Sequence, residues 1–363
     1  MKRLMVVAAG TGGHVMPGLA VAGELQRRGW SVSWLGTSRG MERSLVEPHG
    51  IAFRAIDFSS LRGKGLRTLV FGGFLLLRAI WQSRRIIRSD RPDAVFSTGG
   101  YVAVPAGMAA SSLGVPVVLL NPDAAPLMST KLLAPLVSGV LCGFDGEAAK
   151  KAGDKGLVTG NPVRPEIAGV APPERRYAGR EGKARLLVFG GSQGAARLNA
   201  VVPAALAELP ESLRPDVLHQ TGARGVDETV AAYRSRGIEA DVRAFIDDMA
   251  GAYGWADLAV CRSGALTVAE LAAAGVPAVL VPFPAAVDDH QTKNARYVVG
   301  AGAAVLMPES ELTPMSLAAR LRELLESGRP RLLQMALAAR ATAITDADQR
   351  LADACVAAAG GAS

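Results

Sequence analysis

One pattern occurs twice in this chain and constrains its fold more than any other feature: a short apolar run, a glycine-rich turn, then a stretch with helical spacing. The first copy runs from Leu4–Ala9 through Gly10-Thr11-Gly12-Gly13-His14 to a helix predicted over about Leu19–Arg28. The second runs from Ala184–Phe189 through Gly190-Gly191-Ser192-Gln193-Gly194-Ala195 to a helix over Arg197–Leu209. Strands that read as unbroken apolar runs are buried on both faces, and strands alternating with helices form parallel sheets. Further strands are predicted at Ser31–Leu35, Ala94–Ser97 and Val115–Leu120, then at Asp257–Cys261 and Ala278–Pro282. The class is α/β, and 363 residues suit two domains better than one core.

Breakers separate the two Rossmann-type halves. Gly160-Asn161-Pro162-Val163-Arg164-Pro165, Pro172-Pro173 and the charged stretch Glu174–Lys183 place a hinge near Pro162. The expected domains are residues 1–162 and 163–340, with a C-terminal helix from about 341 to 363 packing back on the first. The alanine-rich stretch Leu332–Ala359 reads as one or two helices without a functional signal.

Composition removes several classes. With 49% hydrophobic and 20% charged residues the chain folds as a globular protein. Cys142, Cys261 and Cys355 are far apart and lack C-x-x-C spacing, which argues against a disulfide framework or zinc knuckle and fits a reducing compartment. Lys2-Arg3 precede an apolar run too short for a signal peptide. The longest apolar candidate, Leu69–Leu77, ends at Arg78, short of the roughly 18 residues a membrane span requires. No crossing of a membrane is expected.

Contact with a membrane is another matter. The net charge is +7, and residues 61–91 alone carry eight basic side chains (Arg62, Lys64, Arg67, Arg78, Arg84, Arg85, Arg88, Arg91) against Asp90. Leu69, Val70, Phe71, Phe74, Leu75, Leu76, Leu77, Ile80 and Trp81 are interleaved with them. Cations with apolar groups suit an anionic lipid surface. Nucleic acid is disfavoured, because aliphatic side chains gain nothing on a phosphate backbone and the aromatics are too few for base stacking. The plainer explanation is a core helix with a solvated basic face.

The glycine turns attract anions, since each leads from a strand into a helix start with exposed N–H groups. A dinucleotide site would need a third glycine where Val15 stands and an acid after Trp34-Leu35. A P-loop would need Lys-Ser/Thr where Leu19-Ala20 follow Gly13–Gly18. What remains is a site in a crevice between two facing halves. His14 closes the first turn, where a neutral imidazole could accept a proton from an attacking hydroxyl; a purely structural bond to loop backbone would equally account for it. A second cluster, Cys261-Arg262-Ser263-Gly264-Ala265-Leu266-Thr267-Val268-Ala269-Glu270, again joins a strand to a helix. Thr267 and Glu270 have capping-box spacing, which would make Glu270 structural, while a carboxylate at a helix start equally binds a ribose diol. Asp288-Asp289-His290-Gln291-Thr292-Lys293-Asn294 forms a polar rim suited to a sugar. Asp346-Ala347-Asp348 lies in the alanine-rich tail, so a metal-independent reaction is expected, with no cofactor. Helix amino termini and Arg164 would stabilise a leaving diphosphate.

These motifs, with Pro17-Gly18, Leu61-Arg62-Gly63-Lys64-Gly65, Gly99-Gly100-Tyr101, Gly160–Arg164 and Phe245-Ile246-Asp247-Asp248-Met249, resemble in order the MurG family of bacterial peptidoglycan glycosyltransferases. The resemblance implies a GT-B fold, two Rossmann-like domains with parallel sheets facing across a cleft. It implies inverting transfer of N-acetylglucosamine from UDP-N-acetylglucosamine to the 4-hydroxyl of lipid I at the cytoplasmic face of the cell membrane, in cell-wall biogenesis and hence cell shape and division. Carried over, Thr11, Gly12 and Gly13 would line the cleft with His14 as general base. Arg164 and Ser192 would meet the donor, Ile246 would offer its backbone to uracil, and Ala265, Leu266 and Thr267 would lie along the diphosphate and sugar. Glu270 would hold the ribose hydroxyls, and Gln291 the N-acetylglucosamine hydroxyls. The segment 61–91 would be the membrane-facing patch.

One motif departs from the family. Where members resemble His-Glu-Gln-Asn after a strand, this chain has Leu120-Asn121-Pro122-Asp123. Asp123 replaces an asparagine that contacts the donor sugar, so an amide that donates and accepts becomes a group that only accepts. This keeps open a GT-B enzyme acting on a different membrane glycolipid. A UDP-sugar epimerase, which shares the two-domain architecture, and a catalytically silent UDP-sugar sensor on the membrane stay open as well.

Overall fold

Each glycine turn follows the first strand of its own parallel sheet. The computed structural model describes residues 1–10, 12–59, 65–191 and 193–360, with backbone alone for 65–71 and 287. The chain divides into two compact units, Met1–Pro162 with Asp346–Ser363, and Val163–Thr345.

The first unit contains β1 (Arg3–Val7), β2 (Ser31–Thr37), β3 (Ala52–Ile56), β4 (Ala94–Ser97), β5 (Val117–Asn121), β6 (Gly139–Cys142) and β7 (Gly156–Val158). Their order across the sheet is β3-β2-β1-β4-β5-β6-β7, every pairing parallel. The second contains β8 (Arg185–Phe189), β9 (Asp216–Gln220), β10 (Asp241–Arg243), β11 (Leu258–Cys261), β12 (Ala278–Leu280) and β13 (Ala304–Leu306), in the order β10-β9-β8-β11-β12-β13. In both sheets the winding reverses beside the first strand, between β1 and β4 and between β8 and β11. Loops at the carboxyl ends of two such strands diverge, and the gap between them is where α/β proteins hold ligands.

β1 shows why an unbroken apolar run forms a strand here. Leu4 and Val6 face one side with Trp34, Phe96 and, from the helix Ala347–Ala358, Leu351 and Cys355. Met5 and Val7 face the other, with Ala79 and Ile87 of the helix Gly65–Asp90 and Ala106 and Ala110 of the helix Ala103–Ser111. All four β1 side chains are fully buried, each contributing about 1.5–3 kcal/mol. The end of the alanine-rich stretch, the helix Ala347–Ala358, is therefore a core element of the first unit, while its start, with Leu332 and Met335, packs in the second; Lys2 Nζ ties the end by donating to Ala359 O at 2.9 Å.

The first helix begins at Gly12 rather than near Leu19, and carries Pro17 within it. A proline this close to a helix start disturbs only the opening turns. Gly12, Gly13 and His14 are thus the first residues of a helix, not a loop before one.

In the second unit one cluster gathers Leu186, Val188, Leu198, Val202, Val260, Val279, Leu321 and Met335. Beneath it Arg176, almost fully buried, donates to Tyr253 O at 3.0 Å and Ala274 O at 2.8 Å, so one guanidinium caps the carboxyl ends of the helices Met249–Trp255 and Ala265–Ala274.

Candidate functional site

In the first unit the site is built where β1 and β4 part. His14, half-buried, has Nδ1 2.9 Å from Thr98 O, and Thr98 Oγ1 donates back to His14 O at 2.7 Å. A carbonyl only accepts, so Nδ1 must carry the proton, and the neutral ring then has its basic lone pair at Nε2. The backbone bond that could have made His14 purely structural is the bond that sets its tautomer. Gly100, at φ 76°, lets the β4 loop reach the β1 turn: a Cβ there would lie 2.6 Å from Ala9 O. Gly12 has open space around it, nothing described lying within 4 Å of an added Cβ. Thr11 falls outside the described residues.

Asp123 lies beside this edge in a loop held from within. Asn121, the last residue of β5, is fully buried; its Nδ2 donates to Asp123 O at 2.6 Å and Ala125 O at 3.0 Å, and its Oδ1 accepts from Leu127 N and Thr130 Oγ1. Asn161 Nδ2 donates to Pro122 O at 2.9 Å. Asp123 itself is 9% exposed. Two asparagines thus hold the backbone of its loop.

In the second unit the glycine turn packs on the loop after β9. Gly194 has φ 73°, and a Cβ there would fall 1.8 Å from Thr221 O, so backbone meets backbone with no room for a side chain. Gln220 Nε2 donates to Gly191 O at 2.9 Å. Ser192, within this turn, falls outside the described residues.

Opposite it, β11 leads into a helix that starts at Ala265 with Gly264 as its cap. Ala265, Leu266 and Thr267 are therefore its first turn, half-buried, with free N–H groups and the positive end of the dipole. Thr267 lies inside the helix and no cap bond is made, so the capping-box explanation of Glu270 is wrong. Glu270 is instead clamped by two donors: Arg164 gives a hydrogen to Oε1 at 3.1 Å and Tyr253 O–H to Oε2 at 3.1 Å. Its side chain is 17% exposed against 41% for Arg164. Burial raises the pKa of Glu270, with Arg164 and Tyr253 pulling the other way. Ile246, whose side chain is buried, precedes the helix Met249–Trp255 that carries Tyr253.

The segment expected to form a polar rim is only partly a rim. Gln291 is half-buried, and its Oε1 accepts from Phe283 N at 2.9 Å, which turns its NH₂ group toward other acceptors. Asn294 is fully buried and donates to Ser263 O at 3.2 Å, so it supports the β11 loop from below. Arg262 joins the same support, donating to Val281 O and Pro282 O and pairing with Glu309.

The helix Gly65–Asp90 has two apolar faces. Ala79, Ser83 and Ile87 are buried against the sheet, while Phe74, Leu77 and Trp81, at successive turns, are 67%, 66% and 61% exposed. Arg78 and Arg85 flank them, Arg85 stacking on Trp81. A core helix with a solvated polar face would not expose three such side chains in one stripe. No described helix is long and apolar enough to cross a membrane. Residues 61–64 lie outside the described residues.

Sequence reasoning passed over Thr98 and Tyr253. Thr98 carried a signal, standing directly before Gly99-Gly100 at a strand end; Tyr253 carried none, since a tyrosine in an apolar helix looks like core.

Comparison with known proteins follows the same division. Residues 4–142 match the glycosyltransferase family 28 N-terminal domain and residues 185–351 the glycosyltransferase family 28 C-terminal domain. A protein of Methylibium petroleiphilum is 51% identical over 97% of this chain and 96% of its own length, and one of Nitrosospira multiformis 49% identical over 97% and 98%. Both are named UDP-N-acetylglucosamine–N-acetylmuramyl-(pentapeptide) pyrophosphoryl-undecaprenol N-acetylglucosamine transferase. The crystal structure of Acinetobacter baumannii MurG is similar with a TM-score of 0.85 at 37% identity, covering 98% of this chain and 99% of that one.

Proposed function

The chain belongs to the MurG family within glycosyltransferase family 28, and from that membership we infer that it moves N-acetylglucosamine from UDP-N-acetylglucosamine to lipid I, undecaprenyl-pyrophosphoryl-N-acetylmuramoyl-pentapeptide, giving lipid II for peptidoglycan synthesis. The observation that supports this chemistry most directly is His14, whose bond to Thr98 O leaves the basic lone pair on Nε2. In this reading Nε2 takes the proton of the acceptor 4-hydroxyl as its oxygen attacks the anomeric carbon. The bond from that carbon to the diphosphate breaks on the opposite side, and configuration inverts. UDP leaves with the bonding electron pair. Its charge is met by the N–H groups of Ala265, Leu266 and Thr267, by Arg164 and by the turn containing Ser192, without a divalent metal. Ile246 offers backbone to uracil, Glu270 accepts from the ribose diol and Gln291 binds sugar hydroxyls. Thr11, Gly12 and Gly13 border the reacting groups.

The lipid tail requires work at a surface. The stripe Phe74, Leu77 and Trp81 with Arg78 and Arg85 supports peripheral attachment to an anionic membrane, on its cytoplasmic side, through segment 61–91. That location serves cell-wall growth, cell shape and division.

A second reading rests on Asp123. A carboxylate on a loop whose backbone is held accepts hydrogen bonds but donates none, which favours a glycolipid or sugar presenting hydroxyls there. One assay decides between the two. Purified protein is incubated with UDP-N-acetylglucosamine and a short-chain lipid I analogue in chelator, and UDP and disaccharide are followed by mass. Disaccharide establishes donor, acceptor and metal independence together. UDP without disaccharide, or product only with another glycolipid, would move the assignment to the second reading.

A further inference from the structure

Both oxygens of Glu270 are engaged in this structure, and the two donors differ in kind. Arg164 is 41% exposed on a flexible stem and can leave. Tyr253 cannot: it is fully buried, its ring packs edge-on against Phe189 with centroids 6.0 Å apart, and its helix is capped by Arg176. Phe189 ends β8 immediately before the glycine turn, so the phenol is fixed to the strand that carries one half of the site and bonded to the carboxylate that stands in the other. Burial pushes the Tyr253 phenol well above its ordinary pKa, so it stays a donor at any working pH. Arg176 caps the Glu270 helix as well as the Tyr253 helix, which fixes the spacing between the two groups.

We propose that Tyr253 is the positioning residue that sets the plane of the Glu270 carboxylate for a vicinal diol, and so makes the site selective for a ribonucleoside diphosphate over its 2′-deoxy form. A carboxylate with one oxygen anchored at Oε2 cannot rotate about its terminal torsion, and it keeps one lone pair on each oxygen turned outward in a fixed geometry. Two adjacent hydroxyls match that spacing; one does not. Arg164 is the exchangeable partner, released toward the diphosphate as the diol arrives. The proposal rests on the assignment of Glu270 to the ribose made above.

The test is calorimetric binding of UDP and 2′-deoxy-UDP to the full-length protein, to Tyr253→Phe and to Glu270→Asp. The parent should favour UDP by about tenfold or more, the worth of a charged hydrogen bond. Tyr253→Phe should shrink this preference to about threefold or less by weakening UDP while 2′-deoxy-UDP binds as before. Glu270→Asp, which draws the carboxylate back from the phenol, should do the same, and the double variant should add nothing. A thermal midpoint near that of the parent separates positioning from folding. A parent that binds both nucleotides equally would overturn the ribose assignment and the proposal with it. A parent that discriminates and a Tyr253→Phe variant that discriminates equally, or that loses both nucleotides in parallel, would overturn the role of Tyr253 alone.

Discussion

The two units share one plan and use it for different chemistry. In each, a glycine turn follows the strand at the reversal point, and a loop from the neighbouring strand stands opposite. In the first unit the helix start and the loop after β4 exchange two hydrogen bonds, His14 to Thr98 and back, and the result is an imidazole of defined tautomer. In the second the loop after β11 leads into a helix whose first N–H groups are left without a cap bond, and the carboxylate of Glu270 in that helix is clamped between Arg164 and Tyr253. On the proposed reading the architecture supplies position alone, and a few side chains near the turns decide whether a proton is taken or a nucleotide held.

The sharpest way to break this division is His14→Ala. Its kcat should fall about 10²–10⁴-fold with UDP affinity within about twofold of the parent, by steady-state rates and calorimetry. Equal losses in both would mean that the first unit also holds donor. Next come the glycine turns themselves, which differ in how tightly they are packed. Gly194→Ala forces a Cβ into Thr221 O and should cost about 2–4 kcal/mol in denaturant titration. Gly12→Ala meets nothing within 4 Å and should stay within about 1 kcal/mol of the parent while slowing turnover. A third difference lies outside the reversal points: replacing Phe74, Leu77 and Trp81 by serine should reduce partitioning to anionic vesicles by about tenfold or more, read by flotation, with UDP binding unaltered.

The smallest expected effect is a matter of pH. Burial makes Glu270 hold its proton more tightly than an ordinary carboxylate, so on acidification it becomes neutral at a higher pH than its usual value of 4.5. A neutral acid presents a donor where the diol needs acceptors. The donor KM should rise as pH falls through that window and should not in Glu270→Gln; a parallel rise in both would place the titration elsewhere.

The sheets were legible because strands buried on both faces leave unbroken apolar runs, and the glycine turns because close backbone approach tolerates no side chain. His14 stood out for the same reason, as a polar group directly after such a turn, and Glu270 as a carboxylate near a helix start. Helix starts were harder to read. The first helix is expected from about Leu19, yet it begins at Gly12, and Thr267-x-x-Glu270 imitated a cap inside a helix that Gly264 begins. Asn294 read as rim because side-chain chemistry alone does not reveal facing. Tyr253 was invisible, since its function depends on a residue seventeen positions away in another helix.

The helix Ala347–Ala358 gives this molecule an unusual order of assembly. Leu351 and Cys355 cover the β1 face that Leu4, Val6 and Trp34 present, although more than three hundred residues separate them in the chain. On the ribosome the first unit therefore cannot be completed until the second has been synthesised, and its apolar flank waits uncovered while that unit emerges. A nascent chain stalled short of residue 347 would carry that open flank, a ready binding surface for a chaperone, until the helix Ala347–Ala358 is made and docks on it.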